Sequence, residues 1–217
     1  MSLEILYQDQ WLVVVNKPAG MLVHAGRDPE PDSQIAMKVV RDQIGQRVGT
    51  VHRLDRPTSG VILFALDTAI EAEMRKQFDH QLIGKKYTAV VSGKTPPEWV
   101  SQERLQKEEG EPFRAARTEF IRERLVEIEG EPFSILSVAP GTGRYHQIRK
   151  HLLGAGFPIV GDYLYGDISE MERIAALVGQ PRLMLHAQRL TFFHPVEGLK
   201  IEVSADLPER FTPFIIA

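Results

Sequence analysis

The sequence predicts an α+β protein built on a mixed, mainly antiparallel sheet with flanking helices. Short apolar runs bounded by turn-forming residues recur along the chain and indicate strands. Segments with apolar residues at helical spacing fall between some of these runs, but they do not alternate strictly with them. Strands interrupted irregularly by helices are typical of the α+β class.

Length and composition indicate one globular domain. The chain has 217 residues, of which 43% are hydrophobic and 25% are charged, which is ordinary for a soluble protein. It has no cysteine, so disulfides, cysteine-based zinc sites and thiol catalysis are excluded. No apolar run approaches the roughly 20 residues that span a bilayer, and the N-terminus has no signal-peptide pattern. We therefore expect a cytoplasmic protein.

The first third of the chain predicts two short strands, a further extended run and one helix. A Pro-Gly turn at residues 18–20 separates the strands from the extended run. Residues 26–31 are polar and proline-rich, which predicts a loop, and Asp32 or Ser33 is the candidate N-cap of the helix. The expected elements are strands at residues 5–7 and 11–15, an extended run at 21–24 and a helix through residues 36–44 that Gly45 and Gly49 end.

The rest of the chain predicts more strands with four helices among them. Thr68 is the candidate N-cap of a helix that reaches about His80 and turns Ala69, Ala72 and Phe78 inward. Residues 98–115 are charged and weakly patterned, so we expect a surface excursion there. Further strands are expected at residues 61–66, 85–91, 116–122, 133–138, 183–186, 190–193 and 199–203, with 125–128 as an open alternative, and further helices at 145–153, 169–178 and within 207–216.

The stretch T-V-H-R-L-D-R-P-T-S-G, residues 50–60, is the strongest candidate for chemistry. Asp55 lies between Arg53 and Arg56, and Pro57 keeps the preceding residue out of helical geometry. We expect Asp55 on an irregular loop before a buried strand, where catalytic groups are commonly mounted. The flanking cations favour an ionised carboxylate, which could act as a nucleophile or a base. The alternative is a structural ion pair that ties down a loop.

Charge is unevenly distributed around a net value of −3. Residues 98–131 are rich in glutamate, whereas residues 38–56, 82–97 and 142–155 carry an excess of basic side chains. If the three basic stretches converge, they form one positive face on a chain of negative total charge. The alternative is that each stretch is ordinary solvated surface.

Several common sites are absent from the sequence. It has neither a G-x-x-x-x-G-K-[ST] loop nor a G-x-S-x-G motif. Gly141 and Gly143 begin like a dinucleotide loop, but the third glycine is missing. His146 and His151 are five residues apart, which is a poor ligand spacing on a helix. We therefore expect neither a cofactor nor a metal.

Four motifs, taken in order, resemble the RluA-type pseudouridine synthases: N-K-P-A-G-M-L-V-H at residues 16–24, H-R-L-D-R-P-T-S-G at 52–60, G-K-K-Y-T-A-V at 84–90 and G-R-Y-H-Q-I-R-K-H-L at 143–152. The resemblance continues through residues 158–166 and 185–195 and covers almost the whole chain. Within the family, residues 3–9, 40–46 and 56–59 are most similar to the tRNA pseudouridine synthase C branch, whose members isomerise uridine 65 of tRNA. The resemblance implies an α+β fold with an active-site cleft, in a single domain over residues 1–217 without an S4-type RNA-binding domain.

The resemblance also implies roles for individual residues. Asp55 corresponds to the essential aspartate, Arg149 to the arginine that pairs with it, and Tyr87 to the tyrosine that stacks on the target uracil. Arg53 corresponds to the arginine that enters the space left by the flipped-out nucleotide. For Tyr87 alone, an ordinary core aromatic is the alternative. The residues expected to contact RNA are Arg53, His52, Lys17, Lys85, Lys86 and Arg144.

Some of these assignments leave a second interpretation open. His52 and His24 are also expected to pack within loops or to contact backbone, and Lys17 could simply be solvated. Gly20 and Gly60 are expected to meet backbone requirements. The acidity of residues 98–115 predicts that they do not contact RNA.

The function expected from the resemblance is isomerisation of uridine to pseudouridine in structured RNA, with tRNA uridine 65 as the first choice. The alternatives are a ribosomal RNA substrate, a non-catalytic RNA-binding or RNA-folding protein, and a hydrolase that releases uracil. We expect a monomer without a membrane partner.

Overall fold

The computed structural model describes residues 2–25, 34–179 and 182–216. In this part of the chain it has ten strands, five α-helices and one 3-10 turn at Glu209–Phe211. The strands are β1 (Glu4–Gln8), β2 (Leu12–Lys17), β3 (Gly49–Thr50), β4 (Ser59–Ala65), β5 (Gly84–Ser92), β6 (Glu98–Ser101), β7 (Thr118–Ile128), β8 (Glu131–Pro140), β9 (Leu185–Phe193) and β10 (Lys200–Ser204). The helices are α1 (Ala36–Ile44), α2 (Thr68–Asp79), α3 (Gln147–Gly154), α4 (Ile168–Val178) and α5 (Thr212–Ile215).

These elements confirm the predicted α+β class with a mixed, mainly antiparallel sheet. The chain forms two compact units, the first made of Met1–Lys85 with Ala187–Asp206 and the second of Lys86–His186 with Leu207–Ala217. The assignment of the whole chain to one domain stays a prediction. Within residues 2–25, 34–179 and 182–216, none of the helices combines the length and the apolar character that a membrane crossing needs.

The first unit is organised around β4, whose seven residues are all buried. A strand covered on both faces needs a continuous apolar run, and V-I-L-F-A supplies it. β2 pairs antiparallel with β4, with Lys17 opposite Gly60, and β1 pairs antiparallel with β2. β3 also pairs with β4, and β10 pairs antiparallel with β9.

Gly60 confirms the predicted backbone requirement at the start of β4. Its φ is 114°, and a Cβ there would lie 2.2 Å from the Ala187 carbonyl oxygen. Gly20 has a φ of 91°. Both values lie in the region that favours glycine, so the turn and the close approach to β9 each require this residue.

The second unit contains an antiparallel meander in the order β5-β8-β7-β6. Its core includes Val90 and Leu136 from the strands, Leu152 from α3 and Ile174 from α4. Four consecutive residues are buried on β5, at 88–91, and on β8, at 133–136, which indicates that both faces of these strands are covered there. On α4 the buried residues Met171 and Ile174 recur at helical spacing.

The second helix corrects two predictions. Asp67, not Thr68, is the N-cap, and its carboxylate accepts hydrogen bonds from the Ala69 and Ile70 N–H groups. The face predicted to turn inward is also wrong, since Ala69 and Ala72 are exposed and Phe78 is half-buried. Ile70, Met74 and Gln77 are buried instead. The helix thus turns its larger apolar side chains inward and leaves both alanines to solvent.

Several strand boundaries also differ from the predictions. Within the extended run predicted at residues 21–24, Leu22 makes an isolated parallel bridge to Ile35. The two strands predicted within 116–128 are one strand, β7, with an irregularity between Arg122 and Arg124. The two predicted at 183–193 are also one, β9. The candidate caps Asp32 and Ser33 and the loop at 26–31 lie outside the described residues.

Asp9 joins the β1–β2 turn to the turn after β9. Its Oδ1 accepts hydrogen bonds from the Trp11 and Leu12 N–H groups at 2.6 and 2.7 Å. Its Oδ2 accepts from the Tyr7 hydroxyl at 2.6 Å and from His194 Nε2 at 2.9 Å. Burial alone would raise the pKa of Asp9, but these hydrogen bonds lower it below its ordinary value. Burial and the neighbouring carboxylate raise the pKa of Tyr7 to about 12.

Replacing Asp9 should destabilise the fold without touching the candidate site. Asp9→Ala leaves four donors without their acceptor, which should lower the free energy of unfolding by about 2–3 kcal/mol. Urea denaturation measures this change. Asp79→Ala, which removes an exposed carboxylate at the end of α2, is the matched control and should change little. Equal stability of the two variants would contradict the assignment.

Candidate active site

Asp55 lies on an irregular loop immediately before β4, as predicted. Its side chain is half-buried, whereas Arg53 and Arg56 on either side are exposed. The Thr58 N–H donates to the Asp55 carbonyl oxygen at 3.1 Å, which closes a turn around Pro57. The loop therefore presents one carboxylate in a fixed backbone geometry.

Lys17 at the end of β2 binds backbone carbonyls of this loop and of the turn after β2. Its side chain is 0% exposed, and Nζ donates to the carbonyl oxygens of Pro18, Met21 and Arg56 at 3.0, 2.9 and 3.3 Å. Two further bonds join the same segments, from the Gly20 N–H to the Arg56 carbonyl at 2.8 Å and from Arg56 Nε to the Gly20 carbonyl at 3.1 Å. Its buried position corrects both the predicted phosphate contact and the solvated alternative.

His52 packs within the first unit, in line with the loop-packing interpretation rather than with RNA contact. Its Nε2 accepts a hydrogen bond from the Leu63 N–H at 3.0 Å, and its ring stacks on Phe78 with centroids 4.5 Å apart. Burial, and secondarily the charge of Lys85, lowers the pKa of His52 to about 3. The ring is therefore neutral at physiological pH. His24 is exposed.

β5 carries the residues of the third motif, at 84–90. Tyr87 is half-buried, faces Val138 of β8 in the register and packs against the core of the second unit. Lys86 points to the opposite side of the strand and forms an ion pair with Glu123 at 2.9 Å. Burial lowers the pKa of Lys85 to about 8, which leaves it mostly protonated at neutral pH.

Arg149 is buried on α3 and is held by a carboxylate that the sequence analysis missed. Nε and Nη2 donate to Oδ2 and Oδ1 of Asp162 at 2.8 and 2.6 Å, and the two side chains are only 5% and 2% exposed. A guanidinium has five N–H donors, of which this pair accounts for two. The predicted pairing of Arg149 with Asp55 stays a prediction. Asp162 occurs in the P-I-V-G-D segment, and a search for a partner to a buried arginine could have found it.

The loop before α3 is fixed by side-chain hydrogen bonds. Gln147 Oε1 accepts from the Arg144 N–H at 3.0 Å and from the Thr142 hydroxyl at 2.5 Å. Arg144 is exposed, and its Nε donates to the Ala115 carbonyl at 3.0 Å. His146 adopts a φ of 52°, and its Nδ1 lies 2.8 Å from the Tyr165 hydroxyl.

The segment at 98–115 is tied to α3 and is more than a surface excursion. It contains β6, and the Glu103 carbonyl lies 3.0 Å from Nε2 of the buried His151. Because a carbonyl can only accept, Nε2 carries the proton, and Nδ1 accepts from Thr118 Oγ1 at 2.9 Å. Lys150 Nζ donates to the Gln106 carbonyl at 2.6 Å. Deleting the segment would therefore remove partners of α3 as well as negative charge.

These contacts change the interpretation of the basic stretch at 142–155. Arg149 is paired with Asp162, Lys150 binds backbone carbonyls and His151 is buried. Arg144 is the exposed arginine of this stretch. The described residues contain no group of three or more His, Asp or Glu side chains arranged to hold a metal ion.

Comparison with known proteins decides the family. The family described as RNA pseudouridylate synthase matches residues 11–153, which is more than half of the chain. The chain belongs to this family. Its resemblance to the RluA-type enzymes is thereby confirmed, and the protein is an RNA pseudouridine synthase, an isomerase.

Relatives match along nearly their whole length. The chain is 38% identical to the tRNA pseudouridine synthase C of Pasteurella multocida, with 99% of this chain and 96% of the relative covered. It is 40% identical to the enzyme of that name from Haemophilus influenzae, with 96% and 95% covered. Among solved structures, human RNA pseudouridylate synthase domain containing 1 matches with a TM-score of 0.79 and 25% identity, over 99% of this chain and 86% of that one.

Removing the Lys17 amine should loosen the Asp55 loop. Lys17→Met keeps the length of the side chain but leaves the carbonyls of Pro18, Met21 and Arg56 without this donor, which should cost about 1–3 kcal/mol of stability. Turnover of folded enzyme should fall more than RNA affinity does. Lys38→Met, on the exposed side of α1, is the control. Unfolding in urea and single-turnover kinetics measure both effects, and an unchanged turnover would contradict the role of Lys17.

His52 should make stability depend on pH. The pKa of His52 is about 3 in the folded protein against about 6.5 when unfolded, so the unfolded state takes up the proton first. Stability should therefore fall as pH drops below about 6.5 and continue to fall towards pH 3. The urea midpoint of His52→Gln should change less than that of wild type between pH 7.5 and 5. His80→Gln, at an exposed position, should follow wild type; identical profiles for all three would contradict the assignment.

Proposed function

We propose that this enzyme converts uridine 65 of tRNA to pseudouridine, with Asp55 as the catalytic carboxylate. The observation that carries the proposal is the end-to-end match with relatives named tRNA pseudouridine synthase C, which covers more than 90% of both chains in the two cases above. A relative that shared only the chemistry would not need to match over the full length of both proteins.

The reaction needs no external reactant. The N1–C1′ bond of uridine breaks, the detached uracil turns, and a C5–C1′ bond forms. The proton lost from C5 balances the proton gained at N1, so the product is an isomer of the substrate. An ionised carboxylate can act either by adding to C1′ or by abstracting the C2′ proton. A primary deuterium isotope effect at C2′ distinguishes the second route from the first.

The geometry of the Asp55 loop supports this role. A catalytic group must be held close to its productive position by neighbours that are themselves fixed. The loop carbonyl of Arg56 is bound by the buried Lys17 amine and by the Gly20 N–H, and β4 anchors the following residues in the core. The half-buried carboxylate is thus carried by a rigid support.

The other site residues take the roles that the family motifs imply. Arg149 orients the Asp55 carboxylate, and Tyr87 stacks on the target uracil. The exposed side chain of Arg53 occupies the gap left by the flipped nucleotide, which offsets part of the few kcal/mol that unstacking costs. Lys85, Lys86 and Arg144 contact phosphates.

Removal of the carboxylate should abolish product formation while binding persists. Asp55→Ala should lower turnover by at least about 10²–10⁴-fold, measured as pseudouridine formed in a tRNA transcript, and should leave tRNA affinity within a few-fold of wild type. Asp42→Ala, which removes an exposed carboxylate on α1, is the control. A transcript with cytidine at position 65 should yield no product.

Other outcomes identify other functions. Pseudouridine formed in ribosomal RNA but not in tRNA would identify ribosomal RNA as the substrate. Release of free uracil would indicate a hydrolase. Equal tRNA binding by wild type and Asp55→Ala without product from either would indicate a protein that only binds or folds RNA.

A further inference from the structure

Hydrogen bonds within its own turn fix the position of Asp162 independently of Arg149. Its N–H donates to the Ile159 carbonyl at 3.1 Å, and its carbonyl accepts from the Gly166 N–H at 2.8 Å. Its Oδ1 also accepts from the Leu164 and Tyr165 N–H groups at 3.2 and 3.3 Å. A carboxylate that caps the turn following it in this way has little rotational freedom.

The fixed carboxylate receives the Arg149 guanidinium as a two-pronged pair. The donor distances of 2.8 and 2.6 Å to the two oxygens define the plane of the guanidinium, which a single bond would not do. Both side chains are almost fully buried, so water does not compete for these bonds. The pair also offsets the cost of keeping a cation away from solvent.

Tyr165 bounds the guanidinium on another side. Its ring centroid lies 4.8 Å from Arg149 Cζ, within the range of a cation–π contact. The Tyr165 hydroxyl lies 2.8 Å from His146 Nδ1, at the start of the helix that carries Arg149. Within the turn at residues 162–166, Asp162 thus pairs with the charge of the guanidinium and the Tyr165 ring contacts its face.

We propose that Asp162, with Tyr165, is a positioning residue for uridine isomerisation, which acts by fixing the Arg149 guanidinium in one orientation. This inference rests on the proposed function, in which Arg149 orients the Asp55 carboxylate. An arginine side chain has several rotatable bonds and samples many rotamers when it is not anchored. An anchored guanidinium is already oriented before substrate arrives, so its alignment costs nothing at the reaction step.

A purely structural ion pair makes a different prediction. It would alter stability but leave the turnover of folded enzyme unchanged. A positioning residue lowers kcat and kcat/KM together and leaves KM for tRNA unchanged, because the orientation matters in the transition state rather than in binding.

Asp162→Asn separates the two roles. Asparagine keeps the oxygen that caps the turn but replaces one guanidinium acceptor by an NH₂ group and removes the charge. We expect kcat to fall by about 10- to 100-fold, the range seen when the outer partners of a metal ligand are removed, with KM unchanged. Asp167→Asn is the matched control, because the Asp167 carboxylate accepts from the N–H of Glu170 at the start of α4 and asparagine caps helices equally well.

A double-mutant cycle tests whether Asp162 acts through Arg149. Arg149→Lys removes the planar fork but keeps the charge. If Asp162 works only by orienting that fork, Asp162→Asn should slow the Arg149→Lys enzyme no further. Multiplicative losses, or a kcat of Asp162→Asn equal to wild type, would overturn the proposal.

A second pair of variants covers the case in which Asp162→Asn does not fold. Tyr165→Phe keeps the ring beside the guanidinium and should retain most of kcat, whereas Tyr165→Leu should lower kcat several-fold at unchanged KM. Equal kcat for the two would overturn the proposal. If wild type itself forms no pseudouridine in any RNA, the proposed function fails; if wild type is active and depends on Asp55 but not on Asp162, only this inference fails.

Discussion

The buried ammonium of Lys17 is the interaction on which the Asp55 loop depends. Withdrawing a lysine head group from water is costly unless its donors are satisfied, and here carbonyls from two separate segments satisfy them. The pairing of β2 with β4 places Lys17 opposite Gly60, directly beside the loop that precedes β4. A charged donor binds carbonyls more strongly than a neutral one. The strand register and the loop conformation therefore stabilise each other.

The second unit uses buried polar side chains in the same way. Arg149 with Asp162, and His151 with Thr118 and the Glu103 carbonyl, fix the position of α3 from inside. Each group has its partners, which is the condition under which a buried polar network contributes order instead of strain. Motif residues thus divide into two classes. Lys17, His52 and His151 bind backbone groups, whereas Arg53 and Arg144 are exposed to solvent.

Local patterns were enough to predict most strands and α1, because the spacing of apolar residues is visible within a short stretch of sequence. The same patterns could not assign the cap of α2, since Asp67 and Thr68 are adjacent and both can cap. The burial of Lys17 was not predicted, because its hydrogen-bond partners lie across a turn and on another loop and residue type alone favours an exposed lysine. The Asp55 motif and the residues around it were visible in the sequence. The sequence did not identify Asp162 as a partner of Arg149, because the family resemblance implied that Arg149 pairs with Asp55.

Net charge is a poor guide to RNA recognition in this chain. The acidic count of residues 98–131 overstates the field that they produce, because Glu123 pairs with Lys86 and Glu119 with Arg117. The basic count of residues 142–155 is likewise too high, since Arg149 is paired and buried. These ion pairs make the long-range field of each stretch weaker than its count of charged residues suggests.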